Sequence, residues 1–358
     1  MKILFWGTPA YAVPSLEGLV AAGHQLVGVV TQPDRRRGRG KQLMASAVKA
    51  RALELGIPVF TPERIRRDPE CQAQLAALEA DISVVVAFGQ ILPPEVLAQP
   101  PLGCWNGHGS LLPRWRGAGP IQWSLLEGDR HTGVGVMAME EGLDTGPVLL
   151  ERAIPIGLLE NAQQLGQRLA ALTAELLVEA LPRIAAAGPG PQSERWGRLG
   201  LTPQREEGLT YARMLNRDDY KIGWNSSALA IHRKVMGLYP SATTSWQGKR
   251  LKLLATEPLV QRLAEQLSPE GQQLTQQWGL MAVDSGDQEK PSSGTVLDVV
   301  NGVGLVVASH GCPVLVSEAQ LEGKAACGGQ QMLQQLGAAR GDRLGEDAPN
   351  PIGSSERG

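Results

Sequence analysis

The chain has 358 residues, 42% of them hydrophobic and 20% charged, with a formal net charge of -2. These values leave room for two ordinary hydrophobic cores and exclude a disordered or collagen-like chain. With no overall cationic excess, any contact with nucleic acid has to come from a local basic patch.

Residues 2–6 form a nearly continuous apolar run, as in a strand covered on both faces, and residues 12–22 follow with helical spacing. The apolar start is too short for a secretory leader, and no later run reaches the length of a membrane span. A cytoplasmic location with no membrane partner is therefore expected. A second strand is predicted at 25–31. It leads into Arg35-Arg36-Arg37-Gly38-Arg39-Gly40-Lys41, a glycine-containing loop with five cations in seven residues. Such a loop suits phosphates, and it equally suits a solvated surface. A helix at 45–55, a strand at 81–87 and a strand at 133–139 continue the alternation. A long helix is predicted after Asn161, with Asn161 and Gln164 as a capping pair.

The run Ala187-Gly188-Pro189-Gly190-Pro191 stops that helix and marks a linker. Beyond it the character changes to a short helix at 226–236 and separated strand runs at 242–246, 251–255, 295–300, 304–308 and 314–316. Asn301-Gly302 is a hairpin signal between two of these runs. The expected fold class is α/β: an N-terminal Rossmann-like open parallel sheet with helices on both faces, plus a smaller C-terminal antiparallel β-barrel of the oligonucleotide-binding type. The expected boundaries are a first domain at 1–189, a linker at 190–206 and a second domain at 207–341. A polar insertion is expected near 261–293 and a disordered tail at 342–358. The four cysteines, Cys71, Cys104, Cys312 and Cys327, lack paired spacing, so neither a disulfide framework nor a metal site is expected.

The segment most informative about chemistry is Trp105-Asn106-Gly107-His108-Gly109-Ser110-Leu111-Leu112-Pro113-Arg114-Trp115-Arg116-Gly117-Ala118-Gly119-Pro120-Ile121-Gln122. On an extended strand, Asn106 and His108 are two apart and share one side. At the carboxyl end of a parallel strand they would line the crevice where open α/β sheets bind ligands. A second segment, Glu141-Gly142-Leu143-Asp144-Thr145-Gly146-Pro147, carries a lone acid between glycines. An amide donor, an imidazole and a carboxylate suit acyl transfer to an acceptor that brings its own amine, with no Ser or Cys nucleophile. On spacing alone, a structural histidine and a turn-forming aspartate remain alternatives.

The stretch His108 to Gln122, together with Gly142-Leu143-Asp144-Thr145-Gly146, resembles the signature of folate-dependent formyltransferases. The resemblance continues at Phe5 to Pro9, Thr31-Gln32-Pro33-Asp34, Ala87-Phe88-Gly89-Gln90-Ile91-Leu92-Pro93, Thr202-Pro203-Gln204, Thr210-Tyr211-Ala212 and His232 to Pro240. It implies Asn106, His108 and Asp144 as the catalytic set. It further implies Ser110, Leu111, Leu112 and Pro113 in the folate site, and Phe88, Gly89, Gln90, Ile91 and Leu92 around the pterin, largely through backbone groups. The implied donor is 10-formyltetrahydrofolate, a cosubstrate, with no metal. The implied acceptor is the α-amine of methionine on initiator methionyl-tRNA, with no obligate protein partner. The basic loop, through Arg35, Arg36, Arg37, Arg39 and Lys41, would engage the tRNA acceptor arm. Lys249, Arg250 and Lys252 on a barrel strand would add to that surface.

A folate formyltransferase acting on a nucleotide sugar or a purine precursor is the nearest alternative. Arg114 to Pro120, the basic loop and the added C-terminal domain favour tRNA over it. A non-enzymatic RNA-binding protein is a further alternative, against which the intact Asn106, His108 and Asp144 speak. A nicotinamide-dependent dehydrogenase would need a Gly-x-Gly-x-x-Gly turn after the first strand, and Gly7-Thr8-Pro9-Ala10 lacks it.

Overall fold

The computed structural model describes residues 1–37, 42–279 and 291–345, with the Arg37 side chain left out. They fall into two compact units. The first comprises Met1–Ile121, Arg130–Pro155 and Gln164–Met214; the second comprises Gln122–Asp129, Ile156–Gln163 and Leu215–Gly358.

The first unit is built on a seven-stranded sheet. Its order is Val148–Pro155, His131–Ala138, Cys104–His108, Ile82–Val86, Lys2–Gly7, Gln25–Val30 and Val59–Phe60. The strands from Cys104–His108 to Val59–Phe60 pair in parallel, whereas His131–Ala138 and Val148–Pro155 join antiparallel. The expected sheet is thus mostly parallel, and the departure is at the edge nearest the site. The apolar runs are continuous because both faces are covered. Leu4, Trp6 and Val85 pack with Leu75 and Val96 on one face. On the other face, a Cβ at Gly107 would press on Thr173 and Leu177 of the helix Ala162–Ala187, so glycine lets that helix approach the strand closely. The helix begins at the expected place, with Asn161 Oδ1 accepting the Gln163 N–H at 3.0 Å.

The segment expected as a linker at 190–206 carries its own helix, Gln192–Leu199. The Arg195 guanidinium there donates to the Leu102 carbonyl at 2.6 Å and to that of Gly190 at 3.0 Å, which anchors the segment to the first unit.

The second unit holds a six-stranded antiparallel sheet. Its main path is Thr243–Trp246, Lys249–Pro258, Val314–Leu321, Gly304–Val307 and Val296–Val300, with Cys327–Gly328 paired to Val314–Leu321. Asn301-Gly302 lies in the hairpin as expected, and Gly302 takes φ +74, which a side chain would strain. Helices Ala228–Gly237 and Gly329–Leu336 cover a core that includes Ile231, Val235, Leu253, Leu305, Val316 and Leu336.

Two segments of this unit are ordered at their starts. The polar insertion is folded in its first part. Helix Pro269–Trp278 buries Leu274 and Trp278 against Leu259, Val306 and Leu315, and the buried Glu257 carboxylate accepts from Ser268 N–H and O–H at its start. The high Gln content hid an amphipathic helix, because three or four apolar residues are enough to anchor one face. The tail is also anchored at its start: Asp342 and Leu344 exchange backbone hydrogen bonds with Val296 and Gly294, and Leu344 is buried. The rest of both segments, 280–290 and 346–358, lies outside the described residues. Among the described residues, no helix is long and apolar enough to cross a membrane.

His232 is buried beneath the second unit's sheet. Its Nε2 donates to the Leu158 carbonyl at 2.8 Å, so its Nδ1 accepts from the Thr256 hydroxyl at 3.1 Å. Burial pushes the imidazole down to about 4, against hydrogen bonds to Leu158 and Thr256 that pull the other way. The unfolded chain takes up a proton near pH 6.5 and the folded chain only near 4. The neutral ring's stability is therefore complete above about pH 6.5, is lost as pH falls toward 4, and changes no further below it. Replacing His232 by Asn should remove a step on the order of 3 kcal/mol from the pH dependence of unfolding between those limits. Chemical denaturation at a series of pH values measures it, and identical slopes in the two proteins would refute the assignment.

Candidate active site

Asn106 and His108 lie on the strand Cys104–His108, near the middle of the first unit's sheet. The neighbouring strand His131–Ala138 runs antiparallel, with Trp105 opposite Ala138 and His108 opposite Gly135. Its carboxyl end therefore lies beside Trp105, and not beside His108 as an all-parallel sheet would have it. Asp144 reaches the pair from the loop that turns back between that strand and Val148–Pro155. The loop is pinned at its base by Ala138 N–H donating to the Pro147 carbonyl at 2.9 Å.

The three side chains converge. The Asp144 carboxylate accepts the Gly117 N–H at 2.8 Å through Oδ2 and faces Asn106 Nδ2 at 3.4 Å through Oδ1. His108 Nδ1 lies 3.7 Å from Asp144 Oδ2. The other ring nitrogen, Nε2, is 2.9 Å from the Trp115 carbonyl oxygen. A carbonyl only accepts, so Nε2 carries a hydrogen and Nδ1 is the ring atom presented to Asp144. His108 is buried, whereas Asn106 and Asp144 are half-buried.

The backbone around the trio is held in uncommon conformations. Asp144 has φ +52 and Trp115 has φ +65, left-handed values that L side chains seldom adopt, and Gly117 has φ +113. Segment 204–212 holds both loops. Gln204 Nε2 donates to the carbonyls of Asp144 at 2.9 Å and Gly146 at 2.6 Å, and its Oε1 accepts from Arg116 Nε and Nη2 at 3.1 and 2.8 Å. Thr210 Oγ1 accepts the Trp115 N–H at 3.0 Å, and Tyr211–Ala212 pairs in parallel with Arg116–Gly117. Sequence reading gave Gln204 and Thr210 no role. The signal available was that their polar side chains lie in family-like motifs outside any predicted element.

The expected folate residues divide. Phe88 packs edge-on against Trp6 with ring centroids 5.2 Å apart, and its carbonyl accepts from the Thr8 hydroxyl and the Gln32 amide. The Gln90 side chain is engaged with Ile65 N–H and the Pro62 and Glu63 carbonyls, and Leu92 is buried. Ile91 by contrast is 66% exposed. Phe88 and Gly89 border a cavity of about 340 Å³ with Thr8, Gln32, Arg35 and Met44. Ser110 is buried, its hydroxyl donating to the Arg114 carbonyl at 2.6 Å. Leu111 packs toward Gly133, and the Leu112-Pro113 peptide is cis. Leu112 and Pro113 border a different cavity of about 530 Å³, with Leu150, Glu151, Pro203 and Gln204. The two expected folate segments therefore line separate hollows.

The basic segment is a hairpin where a loop was expected: Arg35–Arg37 pairs antiparallel with Gln42–Met44. Arg35 and Arg36 are exposed, with Arg35 donating to Gln32 Oε1 at 3.4 Å. Arg39, Lys41 and the Arg37 side chain lie outside the described residues. In the second unit, Lys249 and Arg250 are exposed and Lys252 is half-buried on Lys249–Pro258, with Arg250 4.0 Å from Glu322.

A family model described as "Formyl transferase" matches residues 1–181, and one described as "Formyl transferase, C-terminal domain" matches 214–337. A relative from Synechococcus sp. (strain RCC307), named methionyl-tRNA formyltransferase, is 68% identical over 341 residues, covering 94% of this chain and all of that one. Among solved structures, the sugar 3N-formyl transferase WlaRD, determined in the presence of dTDP and 5-N-formyl-THF, is 16% identical with a TM-score of 0.56, covering 91% of this chain and 99% of that one. HypX from Aquifex aeolicus in complex with tetrahydrofolic acid is 16% identical with a TM-score of 0.55, covering 94% of this chain and 47% of that one. At such identities the two structures bear on the fold alone.

Gly146 ties this geometry to stability. A Cβ there would collide with the Ala138 carbonyl oxygen, which the pinned loop cannot move aside. Gly146→Ala should destabilise the protein by about 1–3 kcal/mol and lower turnover. Thermal melting and steady-state rates check both, and an unshifted melting temperature would show that the loop is not pinned.

Proposed function

The chain belongs to the formyl transferase family, and we propose that it moves the formyl group of 10-formyltetrahydrofolate to the α-amino group of methionine on initiator methionyl-tRNA. The observation that carries this reading is the convergence of Asn106, His108 and the Gly117 N–H on the Asp144 carboxylate. The family, and the name of a relative at 68% identity, supply the donor and the acceptor.

The residues present fit a folate. Ile91 and Leu143 keep large apolar side chains in solvent, 66% and 51% exposed. Ile91 follows strand Ile82–Val86, which adjoins that of Asn106, and Leu143 precedes Asp144. An exposed apolar side chain next to Asp144 suits a flat heteroaromatic ring. The cosubstrate supplies an electrophilic formyl carbon, so the protein needs no nucleophile of its own.

In this reading the methionine amine attacks that carbon, forming the new C–N bond as the C=O pair moves onto oxygen; the tetrahedral intermediate then collapses and the bond to folate nitrogen breaks. Asn106 Nδ2 and, in the imidazolium form, His108 Nδ1 donate to the oxygen as it gains charge. Asp144 holds both donors in place and takes the proton shed by the amine through a water, while the folate nitrogen gains a proton on leaving. The Gly117 N–H bond to Asp144 fixes the carboxylate against either donor.

The test mixes the protein with 10-formyltetrahydrofolate and charged initiator or elongator methionyl-tRNA, and follows formylmethionine released on deacylation. Formylation of the initiator species is expected, and none on either tRNA would overturn the reading. Asn106→Ala and His108→Ala should each lower turnover by about 10²–10³-fold, the usual cost of an oxyanion donor. Near-normal turnover in both would remove those roles.

The basic hairpin and the strand bearing Lys249, Arg250 and Lys252 are the proposed tRNA contacts. Neutralising Arg35, Arg36, Lys249 and Lys252 should flatten the plot of log affinity against log salt by roughly 0.7–0.9 for each phosphate that is no longer neutralised. Filter binding across a salt series measures it, and an unchanged slope would place the tRNA elsewhere.

A further inference from the structure

Gln204 stands outside the proposed reacting groups, yet its carboxamide is fully used at their edge. Both of its N–H donors go to the carbonyls of Asp144 and Gly146, and its oxygen accepts two hydrogens from Arg116. The orientation is not ambiguous, because a guanidinium only donates and a carbonyl only accepts. Arg116 is itself buried on the two-residue strand that runs into Gly117, whose N–H holds the Asp144 carboxylate. One side chain therefore ties the turn carrying Asp144 to the segment that grips Asp144 from the other side. The tie acts on a turn in which Asp144 sits at φ +52, a left-handed value uncommon for a residue with a side chain.

We propose that Gln204 is a positioning residue for formyl transfer, clamping the Asp144 turn at the register in which its carboxylate meets Asn106, His108 and the Gly117 N–H. The proposal rests on the function assigned above. Gln204 bonds the backbone of Asp144, and its effect on the reaction passes through that carboxylate. The neighbouring bonds of Thr210 to Trp115, and of the Ala212 carbonyl to Ala118 N–H at 2.8 Å, fix the facing segment, and Gln204 joins it to the backbone of the turn.

The discriminating variant is Gln204→Glu. It keeps the shape and the pairing with Arg116, but it turns an oxygen toward two carbonyl oxygens. The turnover number should fall between about tenfold and about a hundredfold, the range that a displacement on the order of 1 Å produces, while KM for both substrates stays near the wild-type value. Gln204→Met, of similar length and with no amide, should behave alike and serves if the acid does not fold. Repeating each substitution in an Asp144→Ala background separates positioning from general loosening, because a residue acting through Asp144 costs nothing further once the carboxylate is gone. A wild-type turnover number in both variants, or losses that multiply in full with Asp144→Ala, would overturn the proposal while leaving the assigned reaction standing. A wild-type protein that does not formylate methionyl-tRNA would remove both, since there would be no transfer for Gln204 to serve.

Discussion

The arrangement of the first unit depends on one carboxylate. Asp144 is only half-buried and holds a left-handed backbone conformation, yet it accepts from a backbone amide and faces an amide and an imidazole. A carboxylate so placed must be surrounded by donors, because withdrawing its charge from water without them is expensive. The donors come from the sheet strand Cys104–His108 and from the segment at Gly117, so the fold meets the cost with groups already rigid. The ordering that makes Asp144 tolerable is the same ordering that leaves Asn106 and His108 aimed.

The topology explains why a loop had to deliver the acid. Had His131–Ala138 joined in parallel, its carboxyl end would lie beside His108 and a short turn would have sufficed. Run antiparallel, that end lies beside Trp105, and the chain must double back before it enters Val148–Pro155. Doubling back in few residues demands close backbone approach, which Gly146 permits where it meets the Ala138 carbonyl, and an uncommon φ, which Asp144 itself supplies. Aspartate is among the few residues that take up such a conformation without a large penalty, so the residue suited to the proposed chemistry is also suited to the turn.

Much of this is legible in the sequence. The strands Lys2–Gly7, Gln25–Val30 and Ile82–Val86 stand out because burial on both faces writes continuous apolar runs, and Asn106 with His108 stands out because alternation on a strand fixes which residues share a side. Strand direction is hidden: a buried antiparallel strand such as His131–Ala138, flanked by Val148–Pro155 and Cys104–His108, carries the same apolar run as a parallel one. The helix Pro269–Trp278 is hidden because its burial rests on a few apolar residues among glutamines. Gln204 and Arg195 are hidden for a different reason. Each bonds to carbonyls distant in sequence, and no local pattern announces a side chain that recognises backbone.

The division between buried polar and exposed apolar groups follows from a reaction in which the acceptor provides the attacking atom. A protein that lends no nucleophile can lower the barrier through donors fixed before the substrates arrive, through proton transfer and through binding that brings two substrates together. His108, Ser110 and Arg116 are buried polar side chains, all bonded within the fold. Ile91, Leu143 and Met44 show the opposite, large apolar side chains left in solvent. The two meet at Asp144, which is half-buried and bonded to the Gly117 N–H while the preceding Leu143 is exposed. A turn with one face committed to the fold and the other open to solvent can hold its position only if something other than substrate anchors it. In this protein the Gln204 side chain bonds the carbonyls of Asp144 and Gly146, contacts made within the fold itself.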